Sequence, residues 1–198
     1  HRSAGMHCYD LAGNRIWSRD LGLFHHIWGE GPSPLLYGNL VIQLCGPGER
    51  TFVVALNKLT GETVWESPTE PGGSAGDKGR YIGTWSTPVV ISVAGEDQIL
   101  VPLHDRVVAY RPADGRELWS ISGVSGKKGD LVYTSPVAAD DLAVVMGGFN
   151  GPAFGFKLGG SGDMTDQHRL WREGDVTNPQ RIGSGVIVNG RLYMANAD

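Results

Sequence analysis

The sequence predicts an all-β protein, a β-propeller made of four-stranded antiparallel blades, and three observations predict it. A short phrase that ends in tryptophan occurs four times, and Trp17, Trp65, Trp119 and Trp171 lie about 50 residues apart, as the repeats of propellers do. A second phrase, which opens with Ser or Thr and usually continues with Pro, alternates with the first. No segment sustains the 3.6-residue apolar periodicity of a helix.

The Trp phrase predicts a β-hairpin. Its clearest copy spans 108–119, where Pro112 presets the backbone for a turn and Gly115 can adopt the left-handed conformation that closes a bulged hairpin. A flat indole on the outer strand can lie against a column of small residues in a neighbouring sheet, and such burial contributes about 2–3 kcal/mol. We therefore assign a structural role to Trp17, Trp65, Trp119, Trp171, Gly13, Gly61 and Gly115.

The second phrase predicts two further strands joined by a polar turn. Its copies begin at Ser33, Thr87, Ser135 and Ser184. Proline is tolerated at the start of these strands because the first amide need not join the hydrogen-bonded ladder. Two strands from each phrase make one blade of a radial array of sheets. Residues 1–198 therefore form a single partial propeller domain with blades at 1–20 (half), 31–67, 86–121, 133–173 and 183–198 (half).

About four blade equivalents predict an arc of a seven- or eight-bladed ring. The opening and closing half blades are complementary, so they could pair within one chain or between two copies. Otherwise they are completed by the remaining blades of a longer chain, because proteins avoid bare sheet edges. We favour a longer chain, since 195–198 ends where the next Trp phrase should begin.

Composition and charge exclude several function classes. Lys and Arg number 17 against 21 Asp and Glu, which gives a net charge of −4 with no basic stripe, so no nucleic-acid partner is expected. The sequence contains no run of 18 apolar residues, so it predicts no transmembrane segment. Cys8 and Cys45 lack metal or redox spacing, and we expect both to be packed thiols.

The loops that lead into the first strand of each blade should converge near the propeller axis, and they carry aromatic and charged residues. This mixture suits a polar ligand with flat or sugar-like faces, or a peptide. In the alternative interpretation, Trp85 and Tyr133 plug the central channel and the charged groups are merely solvated. The candidate contacts are His26, Trp28, Glu30, Arg80, Trp85, Tyr133 and Arg181.

We predict no metal site and no catalytic residue. Adjacent residues of a strand point to opposite faces, so His25 and His26 are poorly placed to share a metal. Asp163 and Asp166 fit no twelve-residue calcium loop, and a solvated turn explains them better.

The two phrases resemble the PQQ-like (pyrroloquinoline-quinone-type) propeller repeat, whose pattern is roughly Ala-x-Asp-x-x-Thr-Gly-x-x-x-Trp preceded by Ser-Pro-Val. Residues 55–65 match it with Asn57 in the Asp place, and residues 109–119 match it with Arg111 there. Further matches are 8–17, with one deletion, and 155–171, more loosely. The resemblance covers nearly the whole chain and implies the propeller fold and a periplasmic or secreted location.

The family resembled contains quinoprotein dehydrogenases, which use PQQ with calcium, and non-catalytic propellers such as the lipoprotein scaffold of the bacterial outer-membrane assembly machine. The enzymes carry a vicinal Cys-Cys pair, and this sequence has none. We therefore expect a non-catalytic scaffold that binds a protein or a small polar ligand and needs no cofactor. Two alternatives stay open: part of a PQQ-dependent dehydrogenase whose PQQ and calcium ligands lie outside this segment, and a glycan-binding or glycan-processing propeller.

Overall fold

The computed structural model describes residues 5–73, 81–126, 129–174 and 183–194, and regular structure within these ranges is almost entirely β. A two-stranded antiparallel hairpin opens the chain, formed by β1 (Gly5–Tyr9) and β2 (Arg15–Asp20). The first complete blade follows, with β3 (Leu35–Tyr37), β4 (Leu40–Cys45), β5 (Arg50–Asn57) and β6 (Thr63–Glu66). The short strand β7 (Glu70–Pro71) adds to the start of β5.

The later blades repeat this order. After β8 (Tyr81–Thr84), the second blade contains β9 (Val89–Val93), β10 (Glu96–Pro102), β11 (Arg106–Tyr110) and β12 (Glu117–Ser122). After β13 (Gly129–Val132), the third contains β14 (Val137–Ala139), β15 (Leu142–Met146), β16 (Ala153–Lys157) and β18 (Arg169–Glu173), with β17 (Gly162–Asp163) and α1 (Thr165–His168) inserted before β18. A final hairpin comprises β19 (Val186–Val188) and β20 (Arg191–Tyr193).

Within each blade the strands pair antiparallel with their sequence neighbours, so the predicted all-β architecture of antiparallel four-stranded blades is confirmed. The apolar core lies between adjacent blades. One cluster joins Trp65 and Ile42 of the first blade to Leu103 and Tyr110 of the second, and all four are buried. Because each blade buries one face against the next, the repeat holds its neighbours at a fixed distance.

Two predicted loops differ from expectation. Segments Tyr81–Thr84 and Gly129–Val132, expected as plain connections, pair with each other as the parallel strands β8 and β13. The turn of the fourth Trp phrase is more than a solvated loop, since β17 pairs in parallel with β12 and buried Met164 joins the core that contains Trp119. This insertion covers Trp119, which is fully buried.

The repeated tryptophans contact small residues in two directions. We expected each indole to lie against a column of small residues in a neighbouring sheet. The small residue directly across the ladder from each Trp instead belongs to the same blade, as Ala55 does for Trp65. The neighbouring blade instead supplies its turn glycine. A Cβ added at Gly61 would lie 2.7 Å from Trp17 Cε3, and one at Gly115 would lie 2.6 Å from Trp65 Cδ2. No side chain fits at either glycine without displacing an indole.

The same contact is fixed by hydrogen bonds. Trp17 Nε1 donates to the Lys58 carbonyl at 3.0 Å, and Trp65 Nε1 donates to the Pro112 carbonyl at 2.8 Å. Both carbonyls lie in the turn that contains the glycine beneath the indole. Each indole therefore has its apolar face on the next blade's turn and its one donor satisfied there.

A second set of bonds links the starts of the blades. The amide of Ser33 donates to Thr87 Oγ1 at 3.0 Å, that of Thr87 to Ser135 Oγ at 3.2 Å, and that of Ser135 to Ser184 Oγ at 3.0 Å. The hydroxyl residue that opens the second phrase thus serves as an acceptor for the preceding blade. This accounts for its recurrence at every copy.

An ion pair also crosses between the first two blades. Arg106, at the start of β11, donates to both carboxylate oxygens of Glu70 at 2.6 and 3.3 Å and to Asp105 at 3.0 Å. Arg106 and Glu70 are 23% and 17% exposed. Burial lowers the pKa of Arg106, but the two carboxylates outweigh it and raise that pKa overall. Arg106 stays charged and ties β7 to the second blade.

We expect Gly115→Ala to lower the free energy of unfolding by about 2–4 kcal/mol, because it adds a clash with Trp65 to the cost of a left-handed backbone. Gly115 has φ +69°, and the control Gly95→Ala has φ +84° with open space around the position of the new Cβ. The control should cost only about 1 kcal/mol. Urea unfolding measures both, and equal losses would contradict the packing role of Gly115.

Arg106→Met should cost about 2–3 kcal/mol in the same assay, because it leaves the largely buried Glu70 carboxylate without its cation. The control is Arg111→Met, which breaks the pair of Arg111 with Asp114, whose side chains are 45% and 46% exposed. Solvent screening should limit that loss to under about 1 kcal/mol. Losses of the same size would show that the Arg106 pair does not hold the blades together.

Candidate functional site

Five rings from three separate loops form one aromatic cluster. The indole of Trp28 lies 4.6 Å from Tyr81 and 5.9 Å from Trp85, measured between ring centroids. His26 lies 5.2 Å from Trp28 and 4.8 Å from Trp85, and Trp85 lies 5.5 Å from Tyr133. These separations are direct ring contacts. The cluster is therefore a set of five mutually packed rings.

Trp85 is the base of this cluster because glycines let it approach the backbone closely. A Cβ at Gly31 would lie 3.0 Å from Trp85 Cδ1, and one at Gly83 would lie 3.0 Å from Trp85 Cζ3. Trp85 Nε1 donates to the Gly29 carbonyl at 2.9 Å, and the Trp85 amide donates to the Val132 carbonyl at 2.8 Å. The loop 21–34 and the parallel pair β8–β13 are thereby joined through one residue, Trp85.

His26 lies beneath Trp28 and is buried, with 6% of its surface exposed. Its Nδ1 accepts the backbone N–H of Trp28 at 3.3 Å, so in the neutral ring the proton is on Nε2. Burial lowers the pKa of His26, and the backbone of Gly73 opposes this only partly. His26 is therefore a neutral packing and orienting group at neutral pH, unsuited to hold a charged ligand.

Trp28 is the most accessible member of the cluster, with 52% of its surface exposed although its ring contacts that of Tyr81 at an angle of 35°. Leu23 and Ile27 of the same loop are also exposed, at 72% and 56%. Tyr133, by contrast, is half-buried, and its burial raises the pKa of its phenol. We call Trp28 and Tyr81 the aromatic face; it presents apolar surface on the base formed by His26 and Trp85.

Glu30 lies elsewhere. It lines an open pocket of about 390 Å³ between β1 and β4, together with Met6, Phe24, Gln43 and Cys45. None of the five rings borders this pocket. Partial burial raises the pKa of Glu30. Burial raises the pKa of the Cys45 thiol to about 12, so this thiol is not a nucleophile at neutral pH.

Of the seven residues predicted to meet a ligand, the structure brings together His26, Trp28, Trp85 and Tyr133, while Glu30 lines the pocket between β1 and β4. Arg80 and Arg181 lie outside the described residues. Tyr81 was not predicted. Alternation along an extended segment, which puts Tyr81, Gly83 and Trp85 on one face, is the signal that could have found it.

Asp163, which was considered as a calcium ligand, has other partners. Asp163 Oδ1 accepts the Thr165 amide at 2.9 Å and its hydroxyl at 2.5 Å, and these bonds lower the pKa of Asp163. Across the described ranges, no three His, Cys, Asp or Glu side chains gather closely enough to hold a metal ion. In the same ranges no helix has the length and apolar character of a membrane span. What the arrangement offers chemically is contact with flat or apolar groups.

Comparison with known proteins agrees with this architecture. Residues 1–197 match the family model described as outer membrane protein assembly factor BamB. BamB from Moraxella catarrhalis superposes with a TM-score of 0.69 at 14% identity, over 99% of this chain and 54% of that one. No curated protein sequence matches the chain.

A quinohemoprotein alcohol dehydrogenase, ADHIIG from Pseudomonas putida HK5, superposes with a TM-score of 0.55 at 14% identity, over 98% of this chain and 37% of that one. At such identities these likenesses establish the fold, a β-propeller arc, and not the activity. The chain spans about half the length of the BamB structure and less of the dehydrogenase. Since the family model covers nearly every residue, the chain belongs to the BamB family of PQQ-like propellers.

Proposed function

We propose that this chain is a non-catalytic propeller scaffold that binds a polypeptide through its aromatic face. The observation that carries the proposal is that 52% of the Trp28 surface is exposed. The rings of Tyr81, His26 and Trp85 pack against Trp28 and hold it in place. Tryptophan and tyrosine are enriched at protein interfaces, where they supply large contact areas with little loss of side-chain entropy. A pre-packed cluster reduces that loss further.

The family description supports the class of partner. The matching family is that of an outer membrane protein assembly factor, and outer-membrane proteins insert as strands that alternate apolar and polar residues. An extended segment of that kind offers an aromatic or aliphatic side chain at every second position, which suits Trp28 and the exposed Leu23 and Ile27. We also propose that this chain is located outside the cytoplasm, in the periplasm or envelope.

The chemistry around the face favours a scaffold over an enzyme. His26 is buried beneath the rings with a lowered pKa, so it is not prepared as a base. In the separate pocket that Glu30 lines, burial raises the pKa of the Cys45 thiol, so it is not prepared as a nucleophile. Cys8 and Cys45 are not a vicinal pair, and the quinoprotein alternative places its PQQ and calcium ligands outside this segment. The test below therefore also measures binding of PQQ with Ca²⁺ and of a glycan, which the two alternatives predict.

The test is binding of a synthetic ten-residue peptide that alternates aromatic and polar residues, followed by tryptophan fluorescence and by calorimetry. We expect binding that Trp28→Ser weakens at least about tenfold, because burying one indole contributes over 1.4 kcal/mol. The control is Leu36→Ser, which removes a side chain that is 69% exposed on β3, and it should leave the affinity unchanged.

Three results would contradict the proposal. One is no peptide binding at millimolar concentration, and another is binding that Trp28→Ser does not alter. The third is saturable binding of PQQ with Ca²⁺, or of a soluble oligosaccharide such as maltohexaose, in place of the peptide. The last result would transfer the function to one of the two alternatives named above.

A further inference from the structure

His26 is the one member of the aromatic cluster whose ring carries a basic nitrogen, and its two ring nitrogens have different surroundings. Nδ1 accepts the backbone N–H of Trp28 at 3.3 Å. Nε2 is shielded from solvent and has no hydrogen-bond partner among the described residues. Because a buried N–H without an acceptor costs free energy, packing alone does not account for an imidazole here. What an imidazole adds over an apolar ring is the bond from Nδ1 to Trp28.

This bond belongs to the turn that presents Trp28. The carbonyl of His26 accepts the Gly29 N–H at 3.0 Å, and Gly29 has the left-handed φ of +73°. The Gly29 carbonyl in turn accepts Trp85 Nε1 at 2.9 Å. The side chain and the carbonyl of His26 therefore hold the amides of Trp28 and Gly29, so the shape of the turn depends on this one residue.

Aromatic rings surround the imidazole. Its centroid lies 5.2 Å from Trp28, 6.4 Å from Tyr81 and 4.8 Å from Trp85, whose ring plane is at 85° to it. Only 6% of the His26 surface is exposed. A positive charge on this ring would therefore lose most of its hydration.

The polar groups near His26 offer little support for such a charge. Of the described residues, the titratable groups that act on the ring are His25, which repels a positive charge, and Tyr81, a neutral phenol; no carboxylate is among them. The backbone of Gly73 is the one group that favours the charged ring. Its carbonyl already accepts the Ile82 N–H at 3.0 Å.

Protonation reverses the role of Nδ1. An acceptor becomes a donor, so the Trp28 N–H loses its partner and two donors face each other. Burial lowers the pKa of His26, so the ring takes up a proton less readily while Trp28 is in place than when it has left. The packed state is therefore fully stable above the ordinary histidine pKa of about 6.5 and loses stability as the pH falls below it.

We propose that His26 is the positioning residue of the aromatic face, and that its protonation releases Trp28 and so weakens peptide binding in mild acid. This role rests on the peptide binding proposed above and names the residue that controls it. The neutral ring holds both the Trp28 amide and the indole, whereas the charged ring holds neither. Histidine is the side chain whose ordinary pKa lets such a change occur between about pH 5 and 8.

The substitution His26→Asn separates the hydrogen bond from the charge. Asparagine Oδ1 can accept the Trp28 N–H from a position similar to that of Nδ1, and a carboxamide takes up no proton in this pH range. The matched control is His25→Asn, which removes the neighbouring titratable ring and leaves the bond from Nδ1 to Trp28 in place.

The test is calorimetric binding of the ten-residue alternating peptide, with Ser, Thr and Asn as its polar residues and with blocked termini, so that the peptide itself does not titrate. Between about pH 7.5 and about pH 5.0 we expect the Kd of the wild-type chain to rise at least about fivefold. The Kd of His26→Asn should rise less than about twofold, and His25→Asn should keep the wild-type dependence on pH.

Nuclear magnetic resonance of the free wild-type chain tests the mechanism without a peptide and without a variant. The Trp28 amide signal should shift with pH together with the ring nitrogens of His26, with a midpoint below about 6.5. In His26→Asn the Trp28 amide should show no such titration.

Three results would overturn the proposal. They are a Trp28 amide signal that does not follow the His26 ring, a wild-type Kd that is equal at the two pH values, and an equal loss of affinity in His26→Asn. Failure of peptide binding itself gives a different pattern, in which no peptide binds at either pH while the Trp28 amide still titrates with His26. That pattern would contradict the peptide scaffold and support His26 as the residue that positions Trp28.

Discussion

The indole of Trp65 lies against Gly115 of the next blade, and most of the architecture depends on this contact and on its equivalent between Trp17 and Gly61. The contact needs three things at once: a flat side chain on the outer strand, a turn residue without Cβ, and a turn carbonyl that accepts the indole N–H. All three are present at Trp17 and at Trp65, whereas Trp119 donates its indole N–H to Gln98 Oε1 at 2.8 Å within its own blade and is paired with the inserted β17. A second series of bonds links the starts of the blades, where the amides of Ser33, Thr87 and Ser135 each donate to the hydroxyl that opens the next blade.

Fixed blade positions determine where the candidate site forms. The loops that join blades are brought close enough for β8 and β13 to pair, although about 50 residues separate them in the chain. Trp85 follows β8 and links that pair to the loop 21–34, where His26 and Trp28 complete the cluster. The sheets thus form a rigid scaffold that positions the exposed aromatic face. Binding residues of proteins commonly lie on loops that are held in this way.

The repeat itself could be predicted from the sequence, because Trp, turn glycine and Ser/Thr-Pro recur with a period typical of propeller blades. Features produced by contacts between distant segments could not. The segment that forms β17 and α1 is held next to Trp119 by the packing of Met164 in the core, and no local sequence pattern encodes that tertiary contact. Glu30 follows His26 closely in sequence but lies in a different environment, because the chain turns at Gly29, where φ is +73°. Sequence spacing alone does not show which side of that turn a residue occupies.

The central claim, that the indole–glycine contact couples adjacent blades, is tested most directly by a double-mutant cycle between Trp65 and Gly115. The free energy of unfolding is measured for Gly115→Ala, for Trp65→Leu and for the double variant. If the contact couples the blades, Gly115→Ala in the Trp65→Leu background costs only the backbone strain of about 1 kcal/mol, which leaves a coupling energy of about 1–3 kcal/mol. Additive losses would contradict the account.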